Sequence, residues 1–317
     1  MKGYRILSID GGGIRGVLPA RWLLALNGAV SPFTSIARQF DLLAGTSTGA
    51  ILALALACEI PLTEILVLYK DKGTAIFQAS RSWMPEWTRG LFAPKYRAAG
   101  IERVLRQVFG ERTLGDLKHK AMVVAYDTFE REPFVMRSWE KSFAAIPVWE
   151  AARASSAAPT FFPAHVLNMG GVLHPLIDGG VVANNPSACA VAEAQRMNGR
   201  GLPFTLVSMG TGRAAQPLTA ANVLSWGALK WAPRIMEVLF DASEAVHLQM
   251  IQGLADPHRY LRFQTPLNGE YERMDRAERG HVEELDELAA GYLHGDGFRI
   301  FQDTVKALTG AERVSVP

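Results

Sequence analysis

Residues 40–57 read FDLLAGTSTGAILALALA. A brief apolar run, a turn bracketed by Gly45 and Gly49, and an Ala/Leu stretch with no polar face describe a buried strand, a tight turn and a buried helix. The order repeats nearer the start, where apolar residues 6–9 run into Asp10 and three glycines and helix-forming residues 20–26 follow Pro19. Residues 122–126 and 134–137 are further strand candidates, and Leu176 and Ile177 end a strand at Asp178, Gly179 and Gly180. Asn185 and Pro186 fit the N-cap and first position of a helix through Met197, and residues 204–209 form a later strand before Gly210 and Gly212. Strands alternating with helices predict an α/β fold on a largely parallel sheet, with functional loops at the carboxyl ends of strands. The glycine clusters fall at those ends. Beyond residue 215 the strand signal fades, and residues 282–293 place apolar side chains at helical spacing.

The chain has 317 residues, 49% of them hydrophobic, enough for one large core. Its 33 basic and 31 acidic side chains leave a formal charge of +2, so no global field draws it to a nucleic-acid polymer or to bulk anionic lipid. Cys58 and Cys189 each lie in an apolar, small-residue stretch and read as free thiols in a reducing compartment. The opening MKGYRILSID lacks the apolar core and cleavage site of a secretory signal, and the longest apolar run, residues 50–60, stops at Pro61. That run is too short to span a bilayer's hydrocarbon core of roughly 30 Å. The expected location is cytoplasmic, with transient contact to a membrane from the water side.

GTSTG at 45–49 fits the pattern in which a serine sits on a strained strand-to-helix turn with its hydroxyl exposed and glycines clear the crowded turn. Ser47 is the candidate nucleophile. Such a nucleophile needs a base and donors for an oxyanion. DGGGIRG at 10–16 offers donors, because consecutive glycines can turn successive N–H groups toward one point, here Gly11, Gly12 and Gly13. The same loop loosely fits GxGxxG and leaves a non-enzymatic nucleotide-binding module open, although residues 29–38 (AVSPFTSIAR) lack the acidic residue a dinucleotide site wants. Arg15, inside the loop, either orients it or reaches a substrate phosphate. DGG at 178–180 places Asp178 at a strand end as the candidate base. His247, His258, His281 and His294 follow Asp178 and keep a Ser-Asp-His esterase or acyltransferase open. No histidine–cysteine cluster has zinc spacing, and no metal or cofactor is expected.

In that order, DGGGIRG, GTSTG and DGG resemble the patatin-like phospholipase family. ARASSAAPTFFPA at 152–164 is similar to the family's small-residue block, VSMGTG at 207–212 to its later strand and glycine turn, and YERMDRAER at 271–279 to the helical tail of bacterial members. The resemblance implies a three-layer α/β/α fold with a catalytic core at 1–215 and a mainly helical extension at 216–317 packed on it within one structural domain. It also implies a lipid acyl hydrolase with Ser47 and Asp178 as a serine–aspartate dyad, Gly11, Gly12 and Gly13 as oxyanion hole and Arg15 as the loop arginine. Ester bonds of phospholipids or related glycerolipids are the implied substrates. Some bacterial members resemble antiviral effectors switched on by cyclic nucleotides, which adds such an activator to the partners to test. Two aromatic clusters await a role. Trp83, Trp87, Phe92 and Tyr96 alternate with Arg81, Arg89, Lys95 and Arg97 and suit a flap that touches lipid headgroups, or an insertion packed on the core. WGALKWAPRIM at 226–236 fits either the same surface or a contact in a homo-oligomer.

Overall fold

Strand β1 (Tyr4–Ile9) turns Ile6 to one face of a sheet and Leu7 and Ile9 to the other, and each face meets its own apolar cluster. The same period-two split runs through its neighbours: Leu42 and Ala44 against Leu43, Met122 and Val124 against Val123 and Ala125. Helices therefore cover both faces, giving three layers. The computed structural model describes residues 3–79, 93–231, 234–254, 256 and 259–310.

From β1 the chain passes a 3-10 turn (Gly13–Gly16) into α1 (Val17–Val30), then β2 (Leu42–Thr46), α2 (Thr48–Ala57), α3 (Leu62–Ile76) and α4 (Ala98–Phe109). Next come β3 (Ala121–Asp127), β4 (Glu132–Arg137), α5 (Val148–Ser155), the hairpin of β5 (His165–Met169) and β6 (Val172–Asp178), α6 (Gly180–Ala183) and α7 (Ser187–Asn198). The remainder is β7 (Phe204–Met209), β8 (Arg213–Ala214), α8 (Ala220–Val223), α9 (Ala228–Trp231), α10 (Ile235–Leu254), β9 (Tyr260–Phe263), β10 (Pro266–Leu267), α11 (Arg279–His294) and α12 (Phe298–Thr309). Every residue of α2 is buried, which is why its sequence shows no polar face. Helix α7 starts one residue later than its sequence predicts: Pro186 is the cap, and Asn185 Oδ1 accepts from Ser187 N–H at 3.0 Å.

The main sheet has eight strands, in the order β5-β6-β3-β2-β1-β7-β9 with β4 also paired to β3. It is parallel from β3 to β9 and antiparallel where β4, β6 and β5 join. Strand β4 takes one edge of β3. Along the other edge β2 pairs up to Thr46↔Val124, and β6, running the opposite way, begins at Asp178↔Ala125. The carboxyl ends of β2 and β6 thus meet head-on over two consecutive residues of β3. The chain beyond 215 is not helical throughout. Strand β9 extends the main sheet beside β7, and α11 is tied back to the helical layer by Asp286, which takes Arg21 and Lys70, and by Trp22 Nε1 donating to Ala289 O at 3.0 Å.

Candidate active site

Ser47 occupies the turn between β2 and α2 with φ +55° and ψ −123°. A left-handed backbone at a non-glycine residue costs about 1–3 kcal/mol and persists only where neighbours enforce it. Two glycines and a serine do so here. A Cβ on Gly45 would lie 2.2 Å from Gly49 O, and one on Gly49 would lie 2.1 Å from Ile9 O, so strand β1 and the helix start close in on the turn as only glycine allows. The Ser47 N–H donates to Ser155 Oγ at 2.9 Å, and that hydroxyl donates onward to Val124 O at 2.5 Å.

The head-on meeting of β2 and β6 brings Ser47 to Asp178. Ser47 Oγ donates to Asp178 Oδ2 at 2.6 Å, and Gly180 N–H donates to Asp178 Oδ1 at 2.7 Å. Gly179 lets the turn pass over β3, since a Cβ there would sit 2.2 Å from Val124 O. Asp178 is fully buried. Burial pushes its pKa up to about 7, against the lowering effect of the Ser47 and Gly180 hydrogen bonds and the Arg153 guanidinium. A carboxylate so placed is far more basic than one in water near 3.9, and close to what proton abstraction at neutral pH requires.

The glycine loop lies beside Ser47 but is not uniform. Gly11 N–H already donates to Asn184 O at 3.0 Å, so Gly11 gives clearance rather than a donor: a Cβ there would lie 3.2 Å from Ser47 Cβ. The N–H groups of Gly12 and Gly13 donate to no other described residue. Gly13 lines the cleft with Ser47, and its φ of +60° and the approach of Met274 O exclude a side chain. The loop's donors are therefore two amides rather than three. The buried α2, which begins at Thr48, adds the positive end of its dipole.

Arg15 does not join this cleft. The 3-10 turn sends Ile14 into it and Arg15 into a separate polar pocket with Asn184, Glu237, Asp241 and Glu244. There its Nε donates to Gly12 O at 3.4 Å and its Nη1 to Glu272 O at 3.3 Å, bracing the loop from behind. Asp10, which opens the loop, is buried against Arg262 of β9, which also donates to Ser208 Oγ and Glu244 Oε1, both at 2.8 Å. Burial opposes the charge on both partners: it pushes the Asp10 pKa up to about 7 in spite of Arg262, while on Arg262 the nearby Asp10 and Glu244 carboxylates together overcome it and raise the guanidinium pKa.

The cleft above Ser47 is narrow, with a cavity volume of about 60 Å³, and opens to solvent. Its walls are almost wholly apolar, with Ile51, Ile76, Phe77, Phe161, Phe240 and Met274 among them, and its polar side chains are Ser47, Thr48, Tyr69, Ser156 and Asp178. That pairing suits a chain-bearing substrate with one reactive polar group. No histidine lines it among the described residues. His247 Nδ1 bonds Ser243 O, His281 is buried against Tyr271, His294 lines another pocket, and His258 lies outside the described residues. Among the described residues no group of three or more His, Cys, Asp and Glu is placed to hold a metal.

Four contributors escape a reading by motif: Ser155, Asn184, Thr211, whose hydroxyl donates to Gly11 O at 2.5 Å, and Arg262. Ser155 sits in the small-residue block, where size is the visible signal and the hydroxyl's partner is not. Trp83, Trp87, Phe92, Arg81 and Arg89 lie outside the described residues. The far end of that stretch packs inward: Tyr96 is buried against Phe77 and Phe162, and it and Lys95 both donate to Asp275.

A family model described as "Patatin-like phospholipase" matches residues 7–190. The chain is 33% identical over 250 residues to a protein of Pseudomonas aeruginosa named "cGAMP-activated phospholipase", covering 76% of this chain and 72% of the relative. It is 30% identical over 331 residues to "Patatin-like protein 2" of Arabidopsis thaliana, covering 90% and 80%. VipD from Legionella pneumophila, a solved structure, aligns with 97% of this chain and 74% of its own at 12% identity, with a TM-score of 0.42.

Proposed function

The chain belongs to the patatin-like phospholipase family and is a hydrolase of that kind, and from that premise we propose that it cleaves carboxylic esters of phospholipids or related glycerolipids through Ser47 and Asp178. One observation carries the reading: the 2.6 Å hydrogen bond from Ser47 Oγ to a fully buried carboxylate, at the floor of an apolar cleft. Asp178 Oδ2 takes the serine proton as Oγ attacks the ester carbonyl. The Gly12 and Gly13 amides and the start of α2 receive the oxyanion, a role in which one donor is typically worth about 100- to 1,000-fold in turnover. Collapse expels the lysolipid alcohol, which recovers the proton from Asp178, and leaves the acyl group on Ser47. Water, deprotonated by the same carboxylate, then releases the fatty acid. We assign Arg15 to bracing the loop rather than to binding substrate, and the segment 216–317 to the same structural domain as the core, because Arg262 of β9 grips Asp10.

Mixed phospholipid vesicles incubated with the purified chain and followed by mass spectrometry should yield fatty acid and lysolipid, with headgroup and sn-position read from the products. A wild type that releases neither from any glycerolipid in the panel sinks this reading.

The likeness to a cGAMP-activated relative supports a finer reading, in which a cyclic nucleotide switches the enzyme on at a membrane. Titration calorimetry over a cyclic-nucleotide panel, paired with the vesicle assay, tests it. No heat of binding together with constitutive activity removes it.

A further inference from the structure

Helix α10 has one face in the cleft and another in water. Phe240 lines the cleft and presses on Gly180 next to Asp178, and Met236 joins it and Met274 in one buried cluster. The outward face carries Ile235, Leu239, Val246, Met250 and Leu254, which are 39–62% exposed. At 100° per residue Gly253 and Ser243, whose hydroxyl accepts from Asn184 N–H, fall among them and Ala242 and Gln249 flank them, so the face holds no charge along about 28 Å. The acidic residues of the helix, Glu237, Asp241 and Glu244, turn instead toward the pocket that holds Arg15. Apolar surface of this extent and continuity is uncommon on a protein that leaves it in water.

We propose that the outward face of α10 is the surface by which the enzyme lies on a lipid bilayer, a proposal that rests on the lipid-hydrolase reading above. Three features select lipid as the occupant. The face is continuous, around the same helix, with the wall of the cleft that would take the acyl chain, so a bilayer seated on it lies beside the catalytic mouth. The segment that leads into it has the composition of a headgroup boundary: Trp226 and Trp231 pack edge-to-face at 5.2 Å, Lys230 is exposed, Arg234 is exposed and pairs with Glu237 at 3.0 Å, and Leu224 is 86% exposed. A second copy of the chain docked here would cover the wall of the mouth and bar lipid from it. Among the described residues no helix is long and apolar enough to cross a membrane, so the contact is made from the surface.

The test uses the full chain with sedimenting phosphatidylcholine vesicles, alongside hydrolysis of a soluble short-chain p-nitrophenyl ester. The double variant Val246→Glu/Met250→Glu, remote from the cleft lining, should lower vesicle partition and vesicle hydrolysis at least about tenfold while the soluble-ester rate stays within about twofold. Phe33→Glu, at an exposed apolar residue ahead of β2 and so at the other end of the sheet from Ser47, should behave as wild type. The uncharged pair Val246→Ser/Met250→Ser should shift partition in the same direction by a smaller factor. Unchanged partition in both double variants overturns the proposal. So does a wild-type dimer in sedimentation velocity that the Glu variant splits without altering partition, which would assign the face to a second copy. A wild type that binds vesicles through this face yet hydrolyses no ester supports the docking surface and defeats the hydrolase reading instead.

Discussion

The tripeptide Asp-Gly-Gly occurs at 10–12 and again at 178–180, each time at the carboxyl end of a sheet strand and each time with the carboxylate buried. Locally the two are alike. Their partners separate them: Asp10 is gripped by the two-pronged guanidinium of Arg262, whereas among the described residues Asp178 receives only the Ser47 hydroxyl and one amide and feels Arg153 at a distance. A buried carboxylate with a bidentate arginine is a fixed ion pair that anchors a loop. Burial pushes both carboxyl pKa values up to about 7, so it is the partner and not the acidity that separates them: Asp178 has a serine hydroxyl within reach whose proton it can take in the proposed mechanism. The lesson is that the motif supplies a buried acid and the opposing strand decides what kind.

Substitutions can break this contrast. Asp178→Ala and Ser47→Ala should each lower fatty-acid release from vesicles by at least about 10⁴-fold, as loss of a nucleophile or its partner does in other serine hydrolases. Asp10→Ala should leave the active-site bond intact and depress activity mainly by unfolding. Near-wild-type release by the Asp178 variant would end the dyad.

The titrations of the two acids carry the same sign, so stability should separate them through the arginine that only Asp10 holds. Asp10→Asn leaves the Arg262 charge poorly compensated and is expected to destabilise the fold by on the order of 3 kcal/mol in urea titrations. Asp178→Asn should do the opposite above neutrality. The folded pKa of Asp178 lies above its unfolded value, so its favourable contribution is complete below the unfolded pKa and is lost as pH rises through about 7. The asparagine variant should therefore match wild type below about pH 4 and gain on it progressively as pH rises, by at most about 4 kcal/mol near pH 8. Equal shifts in the two variants would show that the environments are not distinct.

Ser155 sharpens the Asp178 half of the comparison, because its hydroxyl holds the strained Ser47 and its carbonyl accepts from Gly179 N–H at 3.4 Å. Ser155→Ala should lower kcat by about 10- to 100-fold with KM within about twofold, since geometry is lost while the apolar cleft remains. A rise in KM with kcat preserved would move Ser155 into substrate binding. In wild type, kcat/KM for a soluble ester should climb with pH to a plateau governed by an apparent pKa of about 7, and a flat profile from pH 5 to 8 would argue that Asp178 is not the base. The smallest effects belong to the histidines: His247→Ala and His294→Ala should change activity by less than about twofold, and a loss above a hundredfold in either would restore a triad.

Much of this molecule was legible in its sequence because the relevant signals are short-range. Apolar runs ending in glycine located β1, β2 and β7, the all-apolar 51–57 marked a helix buried on every side, and GTSTG marked a turn whose sterics admit only glycine beside the serine. What escaped depends on partners distant in the chain. Strand β9 is four residues long and strengthened by β7 rather than by its own pattern, and the β5–β6 hairpin exposes Val166, Val172 and Leu173, which blurs its alternation. Gly11 and Arg15 look like functional members of the glycine loop, yet the Gly11 amide bonds Asn184 and the Arg15 guanidinium bonds Glu272, more than 170 residues away, which is the ground on which we assign both to support.

By itself, then, the sequence determined an α/β sheet, a strained serine turn, a glycine loop and an acid at each of two strand ends, because each follows from sterics or hydrophobic period within a few residues. Only the tertiary structure decided how Asp178 reaches the serine, which loop amides have no partner among the described residues, and which side of α10 meets water. Those outcomes depend on β6 running against β3 to meet the end of β2, and on β9 carrying Arg262 to Asp10, pairings set by packing across more than a hundred residues of chain.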